Sequence, residues 1–588
     1  MPLDDPANQE SFIDKFQKLH ELAWRKQDRS ALFKDVAGSE SEPGQKYESL
    51  KVLFQFTSRY QRRILVTSEY QVALCDANRW FAGQEPSKTK FTQADSYGGE
   101  DHSPVRCISP SEESEDEEEP EDEDESEDED KEDSACGAFI VCGTPGIGKS
   151  HFLYYVLVER LLNRLPTCFQ TASNKFSYWC ERGVFHYAMK EFGLGFTMSN
   201  NVWFLMDSNE RNVSPNAAIL ASGARVIQAA SPWKVCLGWT EKQNTYNYMW
   251  FMKPSPLREL RRFWPDRKFA KILTKKEVTT FATAYGPSPR LITQYARQID
   301  QYRSKLQSKI KRFTFDELKK LVFHIQDLNV DDKGISHWIL GIYPGETRNQ
   351  ITVGFHTPQG LKLVKTACPG IWNSHVLDIY TFFNSVGQTR GTAVRLLEDI
   401  LHQDLPTGGH WKATQLESNN QGPEIFTDSL IVYTTPPPEE PRTESYLLVG
   451  PDTYFVEAVP ETSTRPQSLT LYRYTSKEAK SGQANVSWDI SGYYLPLTPN
   501  QETFNSFIVN PQLRSVFALQ FTVSEEHQVN EEGLQFLQKH YSDYNLYYIL
   551  FNSQKDVKLV VPSGYDGKWV SLWHVYVTED VLLSRSSS

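Results

Sequence analysis

Ala138-Phe139-Ile140-Val141-Cys142-Gly143-Thr144-Pro145-Gly146-Ile147-Gly148-Lys149-Ser150-His151-Phe152-Leu153 decides how this chain is read. Its central eight residues fit the spacing G-x-x-x-x-G-K-[ST], the phosphate-binding P-loop. Phe139 to Cys142 is apolar and short, which predicts a buried strand. The stretch from His151 to Leu162 predicts a helix. In that context the glycines let backbone N–H groups turn inward around phosphate oxygens, and the helix start adds positive potential. Gly143, Thr144, Pro145, Gly146, Ile147, Gly148, Lys149 and Ser150 are therefore the expected nucleotide-binding residues. Lys149 would reach the β- and γ-phosphates of ATP, and the Ser150 hydroxyl would ligate Mg²⁺.

A site of this kind needs a carboxylate from a neighbouring buried strand to position the metal. Val202-Trp203-Phe204-Leu205-Met206-Asp207 is an apolar run ending in Asp, so Asp207 is the expected metal-side carboxylate. Many ATPases place a water-activating Glu directly after it. Here that position is Ser208, and the nearest Glu is Glu210. Hydrolysis is thus expected to be slow, or Glu210 to act as the base from an altered geometry, and binding of ATP is expected more firmly than its turnover. Ala224 to Ala230 predicts another strand, with Ser231 at its end as a γ-phosphate sensor. Gly286-Pro287-Ser288-Pro289-Arg290 opens a helix, from which Arg290 could stabilise transition-state charge.

The chain has 588 residues, enough for three or four domains. Its 39% hydrophobic and 13% aromatic content suits folded domains. No apolar run approaches the length of a membrane span, so no membrane partner is expected. The start lacks the basic and apolar regions of a secretory signal. Eight scattered cysteines form no C-x-x-C pair, which argues against structural zinc and for reduced thiols in the cytoplasm or nucleus. Glu112 to Asp133 holds 18 acids and one Lys in 22 residues. Its −17 is set against a total of −13, leaving +4 elsewhere. Such a block repels itself and reads as a linker or as a decoy for a basic surface.

The expected organisation is α/β and multidomain. A small α+β region covers 1–110, the acidic linker 111–134, a nucleotide-binding core 135–255, a helical lid 256–328, and a mixed α/β domain 329–588.

The P-loop, Trp203–Ser208, Ala230-Ser231-Pro232, Tyr248–Pro254, Gly286–Arg290, Arg395–His402 and Phe517–Ser524 together resemble the fungal and oomycete Crinkler effectors and the related retrotransposon-hot-spot proteins. The resemblance covers about 135 to 550. It implies an AAA+/STAND-like P-loop NTPase joined to a C-terminal domain of the PD-(D/E)XK nuclease type. It also implies DNA or a nuclear or host protein as target, and allows an oligomer. By resemblance, Glu398 matches the first nuclease carboxylate. Asn505 falls where relatives carry a metal-binding Asp, and Gln520-Phe521-Thr522 where the E-x-K element would be. Asn lacks the charge of Asp and Thr that of Lys, so nuclease cleavage is expected to be absent or feeble. His527 is a further residue expected near that pocket. The Leu-Phe-Leu-Ala-Lys-like translocation element of many Crinklers is missing. The expectation is therefore an intracellular protein, with unconventional secretion into a host cell and its nucleus as the alternative.

Overall fold

The computed structural model describes residues 6–36, 47–54, 62–86, 137–172, 174–191, 197–208, 214–231, 237, 239–240, 247–262, 273–311, 314, 316–317, 319–320, 336–345, 347–367, 369–386, 389–418, 430–436, 445–457, 467–474, 488–497, 504–562, 569–578 and 580–582. The acidic run and Glu210 lie outside them. The chain is a mixed α/β protein that divides into two compact units, Met1–Ile371 and Trp372–Ser588. The last domain is expected from 329, whereas residues up to Ile371 group with the first unit. No described helix is long and apolar enough to cross a membrane.

The first unit begins with α1 (Pro6–His20), a three-stranded antiparallel sheet of β1 (Phe33–Val36), β2 (Tyr47–Lys51) and β3 (Arg63–Val66), and α2 (Ser68–Phe81). Then come β4 (Phe139–Cys142), α3 (Lys149–Leu162), β5 (Thr167–Ala172), β6 (Lys175–Cys180), β7 (Gly183–Ala188), β8 (Trp203–Asp207), β9 (Arg225–Ala229) and β10 (Tyr248–Phe251). These strands form a sheet in the order β10-β4-β9-β8-β5-β6-β7. The first five run parallel, and β6 and β7 add an antiparallel edge. Strands β4 and β8 are almost continuously apolar, as expected for strands covered on both faces. The strand order inserts β9 between the one that leads into Gly143–Ser150 and the one that ends at Asp207. Parallel order brings both of those strand ends to the same edge of the sheet, where ligands of open α/β sheets bind.

The N-terminal segment is part of this core rather than an appendage. Phe16, Leu19, Tyr70 and Ala73 share one hydrophobic cluster with Phe152, Val156 and Trp250. After the sheet come a single helical turn at Leu257–Leu260 and the longer helices α4 (Lys275–Tyr285), α5 (Pro289–Tyr295) and α6 (Ile299–Ile310). A capping box between Thr274 and Glu277 fixes the start of α4. An antiparallel hairpin of β11 (Leu340–Pro344) and β12 (Ile351–Phe355) follows, then α7 (Pro358–Ala367). Arg348, in the hairpin turn, donates to both carboxylate oxygens of Glu69 at 2.8 and 2.9 Å. It also donates to the Phe251 carbonyl at 3.2 Å. Both partners are buried.

In the second unit, α8 (Pro369–Ser385) crosses the division and α9 (Arg390–Asp404) follows. The strands are β13 (Gly409–Gln415), β14 (Glu417–Ser418), β15 (Leu430–Thr434), β16 (Ser445–Val449), β17 (Tyr454–Val456), β18 (Leu471–Tyr474), β19 (Gly492–Pro496), β20 (Ser506–Asn510), β21 (Ser515–Thr522) and β22 (Glu526–Gln528). Then come α10 (Glu531–His540), β23 (Asn545–Asn552), β24 (Lys558–Pro562) and β25 (Trp569–Tyr576). A nine-stranded sheet runs β17-β16-β13-β25-β23-β21-β20-β19-β18, and a four-stranded one β14-β15-β24-β22. Strands β19, β20 and β21 form an antiparallel meander, and α10 returns the chain so that β23 lies parallel to β21.

Removing one member of a buried ion pair leaves the other charge buried without its counterion. Arg348→Ala is therefore expected to destabilise the protein by about 3–5 kcal/mol, read by urea denaturation. Glu69→Leu combined with Arg348→Leu should recover much of that loss. Equal destabilisation of single and double variants would show that packing, not the stranded charge, dominates.

Candidate functional site

The loop after β4 is shaped by glycine. Gly143, Gly146 and Gly148 have φ of +150°, +88° and +118°, a region that side chains with a Cβ rarely adopt. Close neighbours reinforce the requirement. A Cβ on Gly146 would lie 2.7 Å from Cβ of Arg290, and one on Gly143 would lie 3.0 Å from the Met252 carbonyl oxygen. Tyr70 closes the far side, donating its hydroxyl to the Gly148 carbonyl at 3.0 Å. Thr144 does not face the loop's interior. Its buried hydroxyl donates to the Ile342 carbonyl at 3.1 Å and accepts from the Ile342 N–H at 2.9 Å, stapling the loop to β11.

Lys149 is buried, and its ammonium donates to the carbonyls of Gly143 at 2.7 Å and Thr144 at 3.1 Å. Burial lowers its pKa to about 8, with nearby Arg290 pushing the same way. Ser150 donates to Oδ1 of Asp207 at 3.0 Å. Burial raises the Asp207 pKa to about 6, against the pull of the Ser150 hydrogen bond, Lys149 and Arg290. Thus Lys149, Ser150, Asp207 and Arg290 gather at one edge of the sheet. Ser231 lies two residues past β9, half-buried, and makes no hydrogen bond to these four among the described residues.

Two further groups complete the neighbourhood. Gln228 on β9 is fully buried, donates to the Ser208 hydroxyl at 2.5 Å and accepts from Trp239 at 3.1 Å. It ties down the residue that stands where a catalytic Glu would be expected. Its signal was a lone polar side chain inside Val226-Ile227-Gln228-Ala229. His151 is held neutral, its pKa lowered to about 4 by burial and by the Arg290 charge. Ser150 and Asp207 supply hard oxygen donors, a fit for Mg²⁺. That ion is typically held by one or two protein oxygens together with substrate phosphates.

In the second unit the structure brings Glu398 and Asn505 together. The Asn505 amide donates to Oε1 of Glu398 at 2.8 Å. Its own oxygen accepts from the Phe521 N–H at 2.6 Å, while its N–H donates to Leu519. The hairpin register places Ser506 opposite Leu519, so the start of β20 meets the end of β21 beside α9. Burial raises the Glu398 pKa to about 7, partly offset by Arg395. One helical turn on, His402 shares a hydrogen bond with the Tyr493 hydroxyl at 2.7 Å, which in turn contacts Ser506 at 2.7 Å. Desolvation lowers the His402 pKa to about 4. The sequence reading did not single out this His402–Tyr493–Ser506 chain. Thr522 is buried at the end of β21 and accepts from the Ser524 N–H. His527 lies on β22 in the four-stranded sheet, opposite Leu559. Among the described residues no group of three or more His, Cys, Asp or Glu side chains is placed to hold a metal.

Glu398 gives a pH prediction. Its folded pKa of about 7 lies above the unfolded value of 4.5. Its contribution to stability is therefore fully present below pH 4.5 and lost as pH rises through 7. Glu398 as a residue is only half-buried, which reduces the penalty to about 2 kcal/mol. Glu398→Gln should match the wild type near pH 4.5 and exceed its unfolding stability by that amount at pH 8. A difference that does not change with pH would refute the raised pKa.

No protein-family model, no curated protein and no solved structure matches the chain.

Proposed function

We propose that the first unit is a P-loop NTPase module that binds Mg²⁺–ATP at Gly143–Ser150. The observation that carries this reading is the convergence of Lys149, Ser150 and Asp207 behind a loop whose glycines adopt positive φ. The order β10-β4-β9-β8-β5 supports it, with a strand inserted between the loop strand and the carboxylate strand. In this reading the Lys149 ammonium exchanges its two carbonyl partners for phosphate oxygens. Ser150 would offer its hydroxyl oxygen to the metal and Asp207 its carboxylate. Arg290 approaches the terminal phosphate from the lid. When bound, Mg²⁺ would neutralise phosphate charge. Turnover is slow in this reading, because Ser208 cannot act as a general base and is bound to Gln228.

The second unit is read as a nuclease-like domain of PD-(D/E)XK type that has lost cleavage. Support comes from the helix–meander–helix–strand order of α9, β19–β21, α10 and β23, and from Asn505 sitting between Glu398 and the end of β21. Its amide occupies the carboxylate that a metal would need. We therefore read the chain as Crinkler-like and intracellular, in nucleus or cytoplasm, with nucleotide state in the first unit governing the second unit's binding to DNA or a nuclear protein. A nucleotide-dependent binding switch without any nuclease activity is the reading that Asn505 and Thr522 favour over active cleavage.

Three measurements test this. Lys149→Ala is expected to weaken ATP binding about 100-fold, the scale of a lost charged hydrogen bond; titration calorimetry reads it, and unchanged affinity refutes the P-loop. Metal binding needs ionised Asp207, so the Mg²⁺ enhancement of ATP affinity should fade as pH drops through about 6. Asp207→Asn should abolish that enhancement at every pH. Plasmid DNA should stay unnicked with Mg²⁺ or Mn²⁺, and nicking that vanishes in Glu398→Ala would overturn the loss of cleavage.

A further inference from the structure

Ser288 stands at the start of α5, where a serine hydroxyl ordinarily caps the helix by accepting from the second or third N–H. Here it makes no such bond. The side chain is only 5% exposed, and its hydroxyl has no hydrogen-bond partner. Buried donors left unpaired are unfavourable and uncommon, and they call for an explanation. The hydroxyl's direction supplies one. Oγ lies 3.0 Å from the point where a Cβ on Gly146 would sit, so it faces the middle of the Gly143–Ser150 loop. The backbone is fixed there from both sides. Gly146 accepts from the Arg290 N–H at 3.4 Å, and Pro289 locks the first turn.

We propose that Ser288 is a further phosphate-binding residue, its hydroxyl donating to the phosphate chain of a nucleoside triphosphate at its terminal end. This rests on the reading of Gly143–Ser150 as a phosphate loop. Two features point to the terminal end. Arg290, two residues on, packs against the same glycine. Its charge acts on both Lys149 and Asp207, the groups assigned to the β- and γ-phosphates and the metal. Ser288 and Arg290 thus approach the loop from the lid as a neutral and a charged donor.

The test uses the full chain with Mg²⁺ and either ATP or ADP. Ser288→Ala removes a donor that is unpaired without nucleotide. The melting temperature of the nucleotide-free variant should therefore stay level or rise. ATP affinity should nevertheless fall roughly tenfold, and ADP affinity by less. A residue with a purely structural role would lower the melting temperature and leave the ATP-to-ADP affinity ratio unchanged; that result overturns the proposal. So does an unchanged ATP affinity in Ser288→Ala while Lys149→Ala has lost binding. If Lys149→Ala also binds ATP as the wild type does, the phosphate-loop reading and this proposal fall together.

Discussion

The buried pair of Glu69 and Arg348 holds the first unit's elements to one another. The two residues are 279 positions apart and meet with two parallel hydrogen bonds. A guanidinium taken out of water must find fixed acceptors, and here it finds three, counting the Phe251 carbonyl. Its face lies 4.4 Å from the centre of the Trp250 ring, and Trp250 in turn donates to Asp76 on α2. Glu69 also accepts from the Lys253 N–H. One charge pair therefore fixes α2, the end of β10 and the β11–β12 hairpin at once. None of the three could shift without exposing an unpaired charge to an apolar interior.

That constraint reaches the Gly143–Ser150 loop through neighbours. Strand β10 flanks β4, so fixing Phe251 fixes the edge from which the loop springs. The hairpin carries Ile342, whose backbone is bonded in both directions to Thr144. Residue Tyr70, one position from Glu69, holds Gly148. The loop is thus gripped at Thr144, Gly146 and Gly148 by three segments distant in sequence. A loop held this way loses little further freedom on binding, so its contacts appear as affinity rather than as ordering. The lowered pKa of Lys149 and raised pKa of Asp207 follow from the same tight packing. Burial disfavours both charges, although Lys149 donates to two carbonyls and Asp207 accepts from Ser150.

The two carboxylate sites show opposite solutions to burying an acid. Asp207 meets a hydroxyl that can rotate away and two cations that favour its ionised form. Glu398 meets an amide that is itself anchored by the Phe521 N–H and the Leu519 carbonyl. An aspartate at 505 would repel Glu398 and demand a cation between them. The asparagine instead closes the site by hydrogen bonding, with the acid favouring its neutral form. Nearby His402 is also held neutral by burial, against the pull of Asp399.

How much of this the sequence disclosed depends on how local each signal is. The loop, α3, β8 with Asp207, and β9 are read from short patterns, because an apolar strand run and a glycine turn each declare themselves within ten residues. Strands β16, β21, β23 and β24 are apolar runs of the same local kind. Helix α2 escaped, since Ser68-Glu69-Tyr70-Gln71-Val72-Ala73 mixes polar and apolar residues and its buried Glu69 and Asp76 look like surface acids. Their partners, Arg348 and Trp250, lie 279 and 174 residues away, and no periodicity links them. The hairpin at 340–355 escaped likewise, since neither its place in the first unit nor its hold on Thr144 is encoded near it. Ser288 was visible only as part of Gly286–Arg290. What distinguishes it is an unmet hydrogen bond, and that property exists only once the start of α5 is folded against Gly146.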